Sequence, residues 1–169
     1  MKLALYSGGT RRENKALAQE AHKLLEGRED LQITFIPSEG EDYKSDFQYF
    51  KSQFKGLNVK RFRCIPIDKP LSPEKRKALF ASDLIFLGGG NTYYFLKHLR
   101  ARRLLPGLKG FVKKGGVLMG LSAGSILMTP SIMTAAVPLV DSDENDVGLK
   151  DLNALGLVPF EFSPHYYRS

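Results

Sequence analysis

No apolar run in the 169 residues approaches the length needed to cross a bilayer, so no membrane span is expected. Cysteine is nearly missing. The single Cys64 excludes an internal disulfide and a cysteine metal cluster, and a reducing cytoplasm is the expected compartment. The opening residues, Met1 to Gly9, reach glycine too early for a signal peptide and read as a first buried strand. Neither the G-x-G-x-x-G spacing nor the P-loop lysine pattern occurs, which weighs against a nucleotide-phosphate loop. Repeats, low-complexity tracts and Pro/Ser-rich linkers are absent too, so residues 1–169 are read as one domain.

What is present is an ordinary globular balance, 43% hydrophobic and 25% charged, in a chain long enough to bury a core. The formal net charge of +7 concentrates in Lys51 to Arg63 and Lys97 to Lys114. A basic excess suits nucleic acid, anionic lipid or a small acidic substrate. Neither stretch interleaves aromatic and basic residues as a single-strand groove would. They are read as solvated outer faces of helices, with neither nucleic acid nor membrane as partner.

The strand signals are short continuous apolar runs: Leu3 to Tyr6, Leu31 to Ile36, Arg61 to Ile67, Leu84 to Leu87, Val117 to Leu121 and Leu157 to Phe162. Runs apolar on both faces belong to parallel strands covered on both sides. Between them lie helical segments: Asn14 to Leu25, Asp46 to Phe54, Ser72 to Ala81, Asn91 to Arg102 and Leu108 to Lys114. The alternation predicts an α/β fold, a doubly wound, mainly parallel sheet with helices on both faces. Ligands in such folds sit at the carboxyl ends of the strands, where strand order reverses.

Two motifs occupy such ends. After Leu84–Leu87 come Gly88, Gly89, Gly90, Asn91 and Thr92. This is either a turn chosen for glycine's backbone freedom or a cradle of N–H groups for an oxyanion, with Asn91 or Thr92 capping the next helix. After Val117 to Met119 comes Gly120-Leu121-Ser122-Ala123-Gly124 and then an apolar helix start. Strand, G-x-S-x-G and helix form the context of a nucleophile elbow, with the Ala123 N–H directed at an oxyanion. The other reading of Ser122 is a helix N-cap between two packing glycines.

A nucleophilic serine needs a base. His22 and His98 fall mid-helix and read as helix-surface residues. His165, in Ser163-Pro164-His165-Tyr166, follows the run Leu157 to Phe162 and so shares the edge of Ser122 and the glycine turn. Serine before histidine is also the chain order of α/β-hydrolases. The orienting carboxylate has candidates in the acidic loop Asp141-Ser142-Asp143-Glu144-Asn145-Asp146, which otherwise reads as a solvated loop without calcium-loop spacing.

Leu87-Gly88-Gly89-Gly90-Asn91-Thr92, Gly120-Leu121-Ser122-Ala123-Gly124 and Ala154-Leu155-Gly156-Leu157…Pro164-His165 resemble the peptidase E family of aspartyl dipeptidases. That family is related to the cyanophycinases and shares a core with class I glutamine amidotransferases. The resemblance implies a flavodoxin-like fold and a serine peptidase acting on dipeptides with an N-terminal aspartate. It matches Ser122 to the nucleophile and His165 to the general base. Gly89, Gly90, Asn91 and Ala123 fall in the oxyanion and substrate-binding region, and Asp143 matches an aspartate important for activity. Leu121 stands where family members often carry tryptophan. In the family the chain continues past the histidine through the acidic triad member and the substrate-binding basic residues. The expectation is therefore a domain short of that C-terminal part, its acid coming from Asp143, Glu144, another chain or nowhere.

The expected function is hydrolysis of short, acidic peptides with no metal or organic cofactor. The alternative is a weak or inactive module that keeps the shell for binding or regulation. Amidotransferase chemistry is disfavoured because the elbow holds serine and Cys64 lies inside a strand, where it reads as a small buried hydrophobe. An incomplete sheet would expose an edge and favour a homo-oligomer.

Overall fold

Five of the six apolar runs become the strands of one sheet. The structure, a computed structural model, describes residues 1–9, 15–38, 43–137 and 142–165. Its strands are β1 (Lys2–Tyr6), β2 (Leu31–Ile36), β3 (Val59–Cys64), β4 (Leu84–Leu87) and β5 (Val117–Leu121). The helices are α1 (Lys15–Leu24), α2 (Tyr43–Gln53), α3 (Pro73–Phe80), α4 (Thr92–Ala101), α5 (Leu105–Lys113) and α6 (Ala123–Ile126), followed by a 3₁₀ turn at Met133–Ala136. The strands lie in the order β1-β5-β4-β2-β3, and every pairing is parallel.

Each apolar run divides its side chains between two cores because strand residues alternate in direction. Leu84, Phe86, Val117 and Met119 pack with Leu17, Ala21 and Leu25 of the α1 segment and Phe50 and Phe54 of the α2 segment. Ile85, Leu87 and Leu118 point the other way, onto Phe95, Leu96 and Leu99 of α4 and Leu108, Phe111 and Val112 of α5. Each fully buried Leu or Phe contributes about 1.5–3 kcal/mol relative to exposure. Both faces are therefore covered, as the lack of alternation predicts.

Local signals set the helix starts. Ser72 caps α3, accepting from the Lys75 N–H at 3.3 Å, with Pro73 in the first turn. Asn91 caps α4, accepting from the Tyr94 N–H at 2.9 Å. His22 is exposed on α1. His98 sits on α4 with its ring 4.3 Å from that of Tyr94, and burial, then Arg102 and Lys97, lowers its pKa. Most of the basic side chains in the two stretches are exposed. Arg102 instead turns inward, giving hydrogen bonds to the Ile67 and Asp68 carbonyls.

Two strand expectations are corrected. The third strand ends at Cys64, and Ile65 and Ile67 continue beyond it into the core against α4 and α5. The run Leu157 to Phe162 is not a strand. The N–H groups of Ala154, Leu155, Gly156 and Leu157 donate to the carbonyls of Pro130, Leu127, Thr129 and Met128. The segment thus satisfies its backbone on the turn after α6, and Leu155 and Leu157 are buried there. Within the run only Leu157 is buried; Phe162 packs part-buried against the core and Phe160 is exposed. Asn14 and Asp141, expected in a helix and in the acidic loop, lie outside the described residues, as does Tyr166. No helix among the described residues is long and apolar enough to cross a membrane.

Candidate active site

Parallel pairing puts the carboxyl ends of β1, β2, β4 and β5 on one edge, carrying Ser7, Ser38, Gly88 to Gly90 and Ser122. Strand order reverses between β2 and β4, the place where such sheets bind ligands.

Ser122 follows β5 with φ 48° and ψ −107°. A non-glycine residue at positive φ costs on the order of 1–3 kcal/mol and persists only where its surroundings enforce it. Those surroundings are explicit. The Ser122 N–H donates to the Tyr6 carbonyl at 2.9 Å, and the Gly124 N–H to the Gly88 carbonyl at 3.1 Å. A Cβ on Gly120 would stand 2.4 Å from the Gly124 carbonyl carbon, and one on Gly124 would stand 2.3 Å from the Leu87 oxygen. Both glycines are needed for the strand and α6 to approach this closely. Behind them the fully buried Ser125 Oγ accepts from the Tyr6 N–H at 3.0 Å and lies 2.6 Å from the Gly120 carbonyl, to which it donates.

Ser122 occupies the N-cap position of α6 by its backbone, its carbonyl accepting from the Ser125 and Ile126 N–H groups, but its side chain makes no capping bond. Its half-buried side chain stands at the head of α6, beside the Ala123 N–H. As the first helical N–H, that group has no acceptor within its own helix. The N–H groups of Gly89 and Gly90 likewise find no acceptor among the described residues. Three donors thus lie on the turns that flank Ser122.

The glycine turn is pinned on both flanks. Gly88 receives Gly124, and the Gly89 carbonyl accepts from Ser38 Oγ at 2.5 Å. Gly90 takes φ 121°, a region that suits glycine. Asn91 caps α4 and also donates through Nδ2 to the Glu144 carbonyl at 2.8 Å.

His165 is delivered by irregular chain rather than by a strand end. Its backbone N–H donates to Ser7 Oγ at 2.5 Å, with its own φ at 58°. Its Nε2 lies 3.8 Å, and Leu121 Cδ1 3.9 Å, from the position a Cβ on Gly8 would take. The imidazole therefore stands over the turn after β1, in the neighbourhood of Leu121, the residue before Ser122. No hydrogen bond joins Ser122 to His165. Nucleophile and base commonly tighten that contact only in the substrate complex.

Asp143 is placed elsewhere. Its Oδ2 accepts from the Thr92 N–H at 2.7 Å and from Thr92 Oγ1 at 2.5 Å, at the start of α4. Burial, and then the Asp143 charge, raise the pKa of the neighbouring Tyr93. Glu144 contributes its carbonyl to Asn91 and lines the cleft described next.

That cleft, of about 830 Å³, opens at the switch point and is bordered by Gly89, Gly90, Asn91 and Leu121. Phe35, Phe50 and Phe86 also line it, Phe35 stacked on Phe50 with centroids 5.0 Å apart and Phe86 tilted against Phe50 at 4.7 Å. Tyr6 lines it as well; burial, with a smaller contribution from Tyr49, holds its phenol well above the ordinary pKa. Asp46, Asp68, Glu144 and Asp146 also line it, and no lysine or arginine does among the described residues. Cys64 stands at the end of β3, its thiol pushed up to about 12 by burial, which suits a packing role. Among the described residues no three His, Cys, Asp or Glu side chains group as metal ligands would.

Ser125, Ser38 and Ser7 were not singled out in the sequence. Ser125 carried a signal, a polar residue three places after Ser122 in an otherwise apolar helix start. Ser38 and Ser7 acquire their roles from partners far away in sequence and carried none.

The model of peptidase family S51 matches residues 3–169. Peptidase E of Salmonella arizonae is 40% identical over 91 residues, covering 53% of this chain and 37% of that protein. Peptidase E of Escherichia coli O1:K1 / APEC is 37% identical over 90 residues, covering 53% of the chain and 36% of the relative. The matched region thus spans just over a third of the curated relatives' length. A crystal structure of a provisionally assigned peptidase E from Listeria monocytogenes EGD-e superposes with a TM-score of 0.78 at 25% identity, covering 98% of this chain and 80% of that one.

Proposed function

The chain belongs to peptidase family S51, and on that premise we propose that it is a serine hydrolase of short peptides, with Ser122 as nucleophile and His165 as general base. One observation carries the reading most: Ser122 is held at positive φ by close-packed backbone while its hydroxyl serves no capping bond. Strain enforced around an unengaged hydroxyl at a strand end is what a nucleophile elbow requires.

In this reading Ser122 Oγ attacks the scissile carbonyl carbon as its proton passes to the His165 imidazole. The carbonyl oxygen becomes an oxyanion that the Ala123, Gly89 and Gly90 N–H groups receive. Collapse breaks the C–N bond, and the leaving amine takes the proton back from His165. Water, deprotonated by His165, then attacks the ester carbon and releases the acid, returning the proton to Ser122. The chain's own groups supply every proton transfer.

The substrate class is dipeptides with an N-terminal aspartate, supported by the likeness to peptidase E. The cleft's carboxylates suit the free α-ammonium of such a substrate. They do not suit its side-chain carboxylate, which needs a cation from outside the cleft's described lining. The single half-buried cysteine supports a cytoplasmic setting.

A second reading, a shell without turnover, draws on the engagement of Asp143 by Thr92. Losing the orienting acid costs roughly 10⁴ in kcat in serine proteases. Hydrolysis of Asp-X dipeptides or Asp-p-nitroanilide by wild type and Ser122→Ala separates the two. Turnover abolished by the substitution supports the peptidase; equal rates in both proteins would sink it.

A further inference from the structure

We propose that Asp143 is a positioning residue that fixes the oxyanion turn through the N-terminus of α4, and is not the acid that orients His165. The inference rests on the reading of Ser122 as nucleophile and assigns a role within that site.

Both hydrogen bonds to the Asp143 side chain end on one oxygen, Oδ2, and both come from Thr92, which is fully buried. The Thr92 N–H is a first-turn donor with no intrahelical acceptor, so Asp143 supplies what the helix cannot. Asn91 Oδ1 already serves the Tyr94 N–H, and Asn91 Nδ2 holds the neighbouring Glu144 carbonyl. The Asp143 N–H in turn donates to the Ala135 carbonyl at 2.9 Å, tying the acidic loop to the 3₁₀ turn. The Asp143–Glu144 segment therefore grips Asn91 and Thr92 at three points while being anchored itself.

Two residues upstream, the Gly88 and Gly89 carbonyls are held by Gly124 and Ser38. These carbonyls share their peptide planes with the Gly89 and Gly90 N–H groups, so the two bonds aim the donors from the upstream side. Oxyanion donors act through preorganisation, since donors already aimed need no rearrangement as charge develops. Glycine at positions 88 to 90 cannot provide rigidity by itself. The hydrogen bonds from its two flanks do, and Asp143 holds the downstream flank.

A triad acid and a positioning acceptor respond differently to amide substitution. Asparagine retains an oxygen able to accept both Thr92 bonds but removes the charge that an imidazolium partner would need. On the positioning role, Asp143→Ala lowers kcat by about 10²–10³ with little change in KM, the scale of a lost oxyanion donor. Asp143→Asn restores most of that loss and keeps the wild-type pH profile of kcat/KM. A fall of roughly 10⁴ in Asp143→Asn, as for a lost triad acid, would overturn the proposal. If Asp143→Ala does not fold, Thr92→Val removes the Oγ1 bond alone and should lower kcat more than Asp143→Asn does; the reverse order would overturn it.

Amide hydrogen exchange over residues 88–95 gives a readout independent of turnover, which separates this inference from the peptidase assignment. Asp143→Ala should speed exchange there, with Asp143→Asn close to wild type. Unchanged protection in Asp143→Ala would refute the proposal whether or not the protein cleaves peptides.

Discussion

Gly124→Ala tests how the elbow is built. The added Cβ would lie 2.3 Å from the Leu87 oxygen and 2.7 Å from its carbonyl carbon, both backbone atoms of an interior strand. No side-chain rotation relieves such a clash, so α6 must move off β4. Overpacking of this kind costs about 1–3 kcal/mol. The displacement also breaks the bond from the Gly124 N–H to the Gly88 carbonyl, worth about 1 kcal/mol. The total is about 2–4 kcal/mol, or roughly 4–16 °C in Tm for a domain of this size. Gly110, within α5, supplies the control, because a Cβ there meets nothing within 4 Å. Gly110→Ala should raise stability by ~0.5–1 kcal/mol, the ordinary gain of alanine over glycine in a helix. The assay is thermal and urea unfolding of both variants beside wild type, with activity at a temperature where each is folded. Gly124→Ala should lose stability and turnover together. If both variants gain stability alike, the close approach at Gly124 is wrong, and with it the account of how Ser122 is held at positive φ.

Other outcomes follow from neighbouring contacts. Ser125→Ala leaves the Tyr6 N–H without the acceptor it now has, so urea unfolding should show a loss of ~1–3 kcal/mol; no loss would show that Ser125 is not the elbow's buttress. The Cys64 thiol rises from the usual 9.0 to about 12 in the fold, so the unfolded chain releases its proton first and stability falls as pH rises from 9 towards 12. Tyr6 adds to this fall above pH 10. Urea midpoints across that range should decline less steeply in Cys64→Ala than in wild type, and parallel curves would contradict the burial of the thiol. If the cleft's carboxylates receive the substrate's α-ammonium, N-acetylation of an Asp-X dipeptide should lower kcat/KM at least ~10-fold, about 1.4 kcal/mol. Equal rates for the free and acetylated peptides would move that contact out of the cleft.

The interior strands were legible because a four- or five-residue run apolar on both faces has few other uses. Leu84–Leu87 and Val117–Leu121 appear with the bounds their composition sets. Leu157 to Phe162 misled for the same reason. Leu157 is buried and its N–H donates to the Met128 carbonyl, but Phe160 is exposed, and hydropathy says neither which acceptor a backbone will find nor which apolar side chain will be covered. The elbow was legible as a pattern, yet the choice between N-cap and nucleophile was not, because it turns on φ at Ser122 and on where its hydroxyl goes. Asp143 shows the limit most clearly. Its partner Thr92 lies 51 residues away, so only the folded chain shows that the carboxylate serves a helix start.

The proposed function requires Ser122 to be an activated nucleophile and not a packed structural serine. The most direct measurement is covalent labelling of the folded protein with a fluorophosphonate, read by intact mass and peptide mapping. One adduct on Ser122, absent in Ser122→Ala and suppressed in His165→Gln, is the expected result. A folded protein that stays unlabelled at Ser122, or that labels as fast without His165, would contradict it.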